Sequence, residues 1–163
     1  MKQYLFLARR SLACLTALFL LGNLHAMSLE VGSPFPEIQS VDQHDNAFSL
    51  PENTKWVVVT FTMGDGKKAN RYFEKMGKAF LPDNHAVYLA NIYGMPSVAR
   101  VFAMPKMRKY PHRIMLADEK GLLDPFPQKK NNATVFELDN NNQIIAISFW
   151  DPDSGGNPFS RDR

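Results

Sequence analysis

Residues 56–61 (WVVVTF) are apolar at almost every position and mostly β-branched. A run without alternation predicts a central strand covered on both faces of a sheet. Just beyond it, Ala69, Tyr72, Phe73, Met76 and Phe80 recur at spacings of three and four, which predicts a helix over 67–80 with one apolar face. Asp65 is placed to help start that helix, because a short carboxylate can accept the N–H groups of a first turn. Residues 85–93 (HAVYLANIY) read as a second core strand, and 96–102 as a short helix opened by Pro96. Strands are expected at 113–117, 134–138 and 143–150, the last two joined as a hairpin by Asp139, Asn140, Asn141 and Asn142, residues that tolerate left-handed backbone angles. Upstream, two prolines favour an extended lead-in over 29–36, and 42–46 (DQHDN) and 51–53 (PEN) read as turns. The order strand, helix, strand, helix, strand, hairpin implies an α/β domain, a mixed sheet covered by helices.

The ends fall outside this pattern. Lys2, Arg9 and Arg10 precede an apolar run over 12–21 and a small-residue exit at Leu24-His25-Ala26, the layout of a secretory signal peptide cleaved near Ala26. The run is about ten residues, short of the roughly 20 that span a bilayer, so no stable membrane anchor is expected. We therefore expect residues 1–26 to be a signal peptide, 27–150 one domain, and 151–163 a flexible tail with little apolar content. The expected location is the periplasm or the exterior.

Charge changes once the leader is set aside. The chain has 19 Lys plus Arg against 16 Asp plus Glu, and Lys2, Arg9 and Arg10 account for the whole excess. The mature chain is formally neutral, which removes the basic balance that would argue for a nucleic-acid partner. The single cysteine, Cys14, also lies in the leader, so the mature chain has no thiol.

Chemistry is therefore sought elsewhere. Gly64, Asp65, Gly66, Lys67 and Lys68 could form an anion site, with glycines allowing close backbone approach at a helix start and two lysines supplying charge. The simpler reading, given more weight, is a tight turn with a cap and two solvated lysines. A nucleotide-binding loop would need a glycine where Phe61 stands and Ser or Thr in place of Lys68. A second candidate surface is Lys106, Arg108, Lys109, His112 and Arg113 around Tyr110, able to hold an acidic partner or a phosphorylated headgroup, though short charge runs are usually solvated loops. Met104, Met107 and His112 form a weaker alternative, a Cu(I) site of soft thioether ligands, against which methionine is also an ordinary core filler. The histidines His44, His85 and His112 lack zinc-like spacing. No cofactor is expected, and nothing in the pattern assigns an oligomeric state.

The opening over 31–61 (VGSPFPEIQSVDQHDNAFSLPENTKWVVVTF) resembles the start of the peroxiredoxin and TlpA-type branch of the thioredoxin-like superfamily, and 133–150 (ATVFELDNNNQIIAISFW) resembles that fold's closing hairpin. Between them, 108–126 (RKYPHRIMLADEKGLLDPF) is similar to the cysteine-free, exported YtfJ-like proteins. The resemblance implies a thioredoxin-like fold. It also implies a redox site, but where those families carry reactive cysteines this chain has Gly64-Asp65-Gly66-Lys67, and where they carry a proline before the penultimate strand it has Ala133, followed by Thr134. No catalytic residue carries over. The resulting expectation is a non-catalytic binding or accessory module that meets an unidentified protein or small anionic ligand at the former active-site face, with Ala133 and Thr134 joining Gly64 to Lys68. The alternative is a copper-binding accessory protein or a thiol-independent enzyme.

Overall fold

The computed structural model describes residues 28–160. The expected signal peptide and Cys14 lie outside them. Seven strands form one mixed sheet: β1 (Gln39–Asp42), β2 (Ala47–Ser49), β3 (Trp56–Thr60), β4 (Ala86–Asn91), β5 (Met115–Ala117), β6 (Ala133–Leu138) and β7 (Ile144–Trp150). Their spatial order is β2-β1-β5-β4-β3-β6-β7. β3 runs parallel to β4 and β4 to β5, while β6 is antiparallel to β3 and forms the expected hairpin with β7. Three helices accompany the sheet: α1 (Met63–Met76), the single turn α2 (Phe80–Asp83) and α3 (Ser97–Met107).

Every residue of β3 is buried, as its unbroken apolar run predicts, because alternate side chains feed two separate cores. Trp56 and Val58 join Phe73 of α1, Tyr88, Leu116 and Trp150 on one face. Val57 and Val59 face the other, with Phe35, Leu89, Phe126 and Phe136. Helices cover only the first face. The second is closed by irregular chain, where Phe35, Phe126 and Phe136 meet edge to face at 5.3–5.7 Å between ring centres.

Four sequence expectations need correction or completion. The turn expected at 42–46 is the tip of a hairpin, β1–β2, whose two short strands were not foreseen. Asp42 is its pivot, accepting the backbone N–H groups of His44 and Asn46 and the Nε–H of Arg113. Helix α1 begins at Met63, four residues before the expected start. Helix α3 runs on to Met107, because Pro105 sits in its last turn rather than stopping it. Residues 151–160, expected to be flexible, fold back over the first core: Phe159 is buried against Trp56 and Phe80, the Trp150 indole donates to the Gly156 carbonyl, and Asp153 meets Lys68 at 2.7 Å.

Candidate functional site

β3 and β4 are parallel neighbours, with Thr60 beside Ala90 at their carboxyl ends. The chain leaves β3 into α1 and leaves β4, through a turn with Gly94 at φ +74°, into α3. A cleft opens where these exits diverge, with a cavity volume of about 90 Å³. Met63, Gly66, Lys67 and Asn70 of α1 form one wall. Ala103, Lys106 and Met107 of α3, with Tyr110 beyond it, form the opposite wall, and Ala90, Ile92 and Met95 lie between.

The local sequence explains the α1 wall. Thr62 is the N-cap: its hydroxyl accepts the Asp65 N–H at 3.1 Å and donates to the Asp65 carboxylate at 2.6 Å. That reciprocal pair satisfies first-turn groups within four residues and draws the two glycines into regular helix. Gly64 and Gly66 have no positive φ, and a Cβ at either would meet neighbours at an ordinary 3.6 Å, so neither creates a close-approach loop. The capping role assigned to Asp65 belongs to Thr62, with Asp65 buried behind it.

Behind the cleft lies a polar relay. Asn70 donates to the Gly66 carbonyl at 2.8 Å, which turns its Oδ1 towards His112 Nε2 at 2.9 Å and fixes the proton there. His112 is 2 % exposed, stacked on Tyr110 and edge-on to Phe73. Its Nδ1 is buried without a hydrogen-bond partner. Burial pulls the imidazole down to about 4, so it is uncharged at neutral pH. In the cleft floor Thr60 bonds the Tyr88 hydroxyl at 3.0 Å, and burial pushes that phenol well above the usual tyrosine range. Neither hydroxyl is activated as a nucleophile.

The candidate residues divide accordingly. Gly66, Lys67 and Lys106, which belong to two different sequence patches, line the same cleft, together with Met107. Lys68 turns away to Asp153, whose hydrogen bond raises the lysine's pKa. Arg108 holds Asp45 at 2.7 Å and the Gln43 carbonyl at 2.9 Å, and Arg113 holds Asp42 at 2.8 Å while lying 3.9 Å over the Phe48 ring. Both arginines fasten the β1–β2 hairpin. Lys109 is exposed. Met104 packs on the first core, Met107 lines the cleft, and His112 is held by Asn70. Ala133 and Thr134 are buried at the start of β6, with the Thr134 hydroxyl donating to the Pro127 carbonyl at 2.6 Å. Sequence reasoning missed Met63 and Asn70, whose only signal was that they flank the glycine and lysine cluster, and it placed Tyr110 only at the centre of the basic loop. Among the described residues no group of three or more His, Cys, Asp or Glu could hold a metal ion, and no helix is long and apolar enough to cross a membrane.

No protein-family model matches this chain. No curated protein matches it either. Solved structures do. A protein assigned as the thiol:disulfide interchange protein DsbE of Chlorobium tepidum superposes with a TM-score of 0.55 at 13 % identity, over 78 % of this chain and 92 % of that one. The thioredoxin domain of a thiol-disulfide oxidoreductase from Bacteroides vulgatus gives 0.52 at 20 %, over 74 % and 89 %. The peroxidoxin BcpB of Mycobacterium tuberculosis gives 0.51 at 15 %, over 78 % and 91 %. At such identities the likeness concerns architecture alone: this chain has the thioredoxin-like fold found in thiol-disulfide oxidoreductases and peroxiredoxins.

Proposed function

We propose that this chain is an exported, YtfJ-like binding or accessory module of thioredoxin-like fold that recognises a protein or small anionic ligand in the periplasm through the cleft between α1 and α3. The observation that carries this reading is the cleft itself, open at the carboxyl ends of β3 and β4, where sites in such sheets gather. The sequence's single cysteine, Cys14, lies in the leader, so the mature chain would have no thiol with which to exchange disulfides or attack peroxide. A photo-crosslinking residue at Ala103 should capture a partner or ligand in the native compartment, and one at Ile145, exposed on β7, should not. Equal capture from both positions, or insulin reduction or peroxide consumption by the purified mature protein, overturns the reading.

The copper alternative keeps one specific observation: Met63, Met95 and Met107 all line the cleft. Lys67 and Lys106 in the same cleft oppose a cation. A Cu(I) titration that fails at micromolar metal removes this alternative.

A further inference from the structure

Resting on the proposed recognition role of this cleft, we infer that its ligand is an amphipathic monoanion, an unbranched alkyl carboxylate in its simplest form. Two observations converge. The lining is dominated by apolar groups, with Met63, Met95 and Met107 supplying unbranched thioethers that adapt to an irregular or flexible apolar ligand. The two charged side chains in the lining, Lys67 and Lys106, are both cationic, one from each wall.

Neither cation of the cleft is occupied by a carboxylate among the described residues, unlike the arginines around it and Lys68. Lys68, Arg100, Arg108 and Arg113 are each matched by a carboxylate, from Asp153, Asp118, Asp45 and Asp42 respectively. Among the described residues neither Lys67 nor Lys106 forms an ion pair. The nearby acid, Asp65, is buried and turned onto the Thr62 hydroxyl rather than into the cleft. Tyr110, the other titratable group in the lining, is a phenol whose pKa burial raises, so it adds no negative charge at neutral pH. An apolar floor with two unmatched cations favours an alkyl chain ending in one negative group. It disfavours a polyphosphate, which would leave the thioethers unused, and it disfavours a cation.

Calorimetric titration of the purified mature protein with decanoate, decanol and decyltrimethylammonium separates the contributions, since the three share a chain and differ in head charge. Decanoate should bind one to one, decanol about fivefold to tenfold more weakly, and the ammonium weakest. The double variant Lys67→Gln/Lys106→Gln should weaken decanoate by about fivefold to tenfold and leave decanol unchanged. Ala103→Trp, at an incompletely buried helix position, should block decanoate while preserving the wild-type melting temperature. Equal affinity for all three amphiphiles, unaltered decanoate binding in the double variant or in Ala103→Trp, or no binding of decanoate overturns the inference. If decanoate fails but the Ala103 crosslinker still captures a partner selectively, the ligand class is wrong and the recognition reading stands. If both fail, both fall.

Discussion

The two helices that wall the cleft are held in opposite ways. α1 buries Asp65, Ala69, Asn70 and Phe73, and Phe73 alone touches the rings of Phe80, Tyr88, His112 and Trp150. α3 buries only Met107 and turns Val98, Val101 and Phe102 outward, Phe102 being 74 % exposed. One wall is therefore part of the core and the other rests lightly on it, a division expected where a fold keeps its binding elements at the less stable end. The largest test of that contrast is Phe73→Ala. Losing a fully buried ring amid five aromatic partners, Tyr72 included, should cost about 3–5 kcal/mol, read by urea unfolding. A loss below about 1 kcal/mol would mean that α1 is no better anchored than α3.

A slightly smaller effect should come from His112, which ties α1 to the segment after α3 through Asn70. Its folded pKa of about 4 lies below the ordinary 6.5, so between those values the unfolded chain binds a proton that the folded chain excludes. Stability should thus be full above pH 6.5 and fall as pH drops towards 4, by up to roughly 3 kcal/mol. About 2 kcal/mol of this should be lost by pH 5. His112→Leu should be less stable at pH 7, since Asn70 loses its partner, and should flatten this part of the profile. An unchanged wild-type stability between pH 7 and 5 would show that the imidazole is not held neutral in the core.

How much of this was legible in the chain differs between the two walls. The strands beside them, β3 and β4, were plain, because burial on both faces leaves a continuous apolar run that turns cannot imitate. The face of α1 was plain too, since Ala69 and Phe73 keep helical spacing. Its start was not: Gly64-Asp65-Gly66 has turn composition, and the Thr62–Asp65 pair that overrides it is a three-residue signal hidden in that composition. The end of α3 was masked by Pro105, which reads as a stop but is tolerated in a solvent-facing last turn. The N-terminal hairpin escaped notice because strands of four and three residues are too short to show alternation. The cleft had no linear signature: Lys67 and Lys106 meet only because two parallel strands end side by side.

Gly64 sharpens the contrast in the opposite direction. It lies in regular helix, and an added Cβ would meet only Thr62 Oγ1 at 3.6 Å. Gly64→Ala should therefore stabilise the protein by about 0.5–1 kcal/mol and raise its melting temperature by about 3 °C. A destabilised variant would mean that the first turn of α1 needs glycine for a reason beyond helix geometry.

The smallest expected effect tests the lightly held wall. Val98, Val101 and Phe102 fall on one helical face, so replacing Phe102 by Ser removes an exposed ring and leaves Met107, the buried contact of α3, intact. Core packing is untouched, and the stability change should stay within about 0.5 kcal/mol in either direction. Phe102 adjoins Ala103 and lies one turn before Lys106, both of which line the cleft. Crosslinking from Ala103 should fall in Phe102→Ser if the captured molecule also covers the outer face of α3, and should hold if the molecule stays within the cleft. A loss of several kcal/mol would instead place Phe102 among the residues that hold the fold, and the difference between the two walls would disappear.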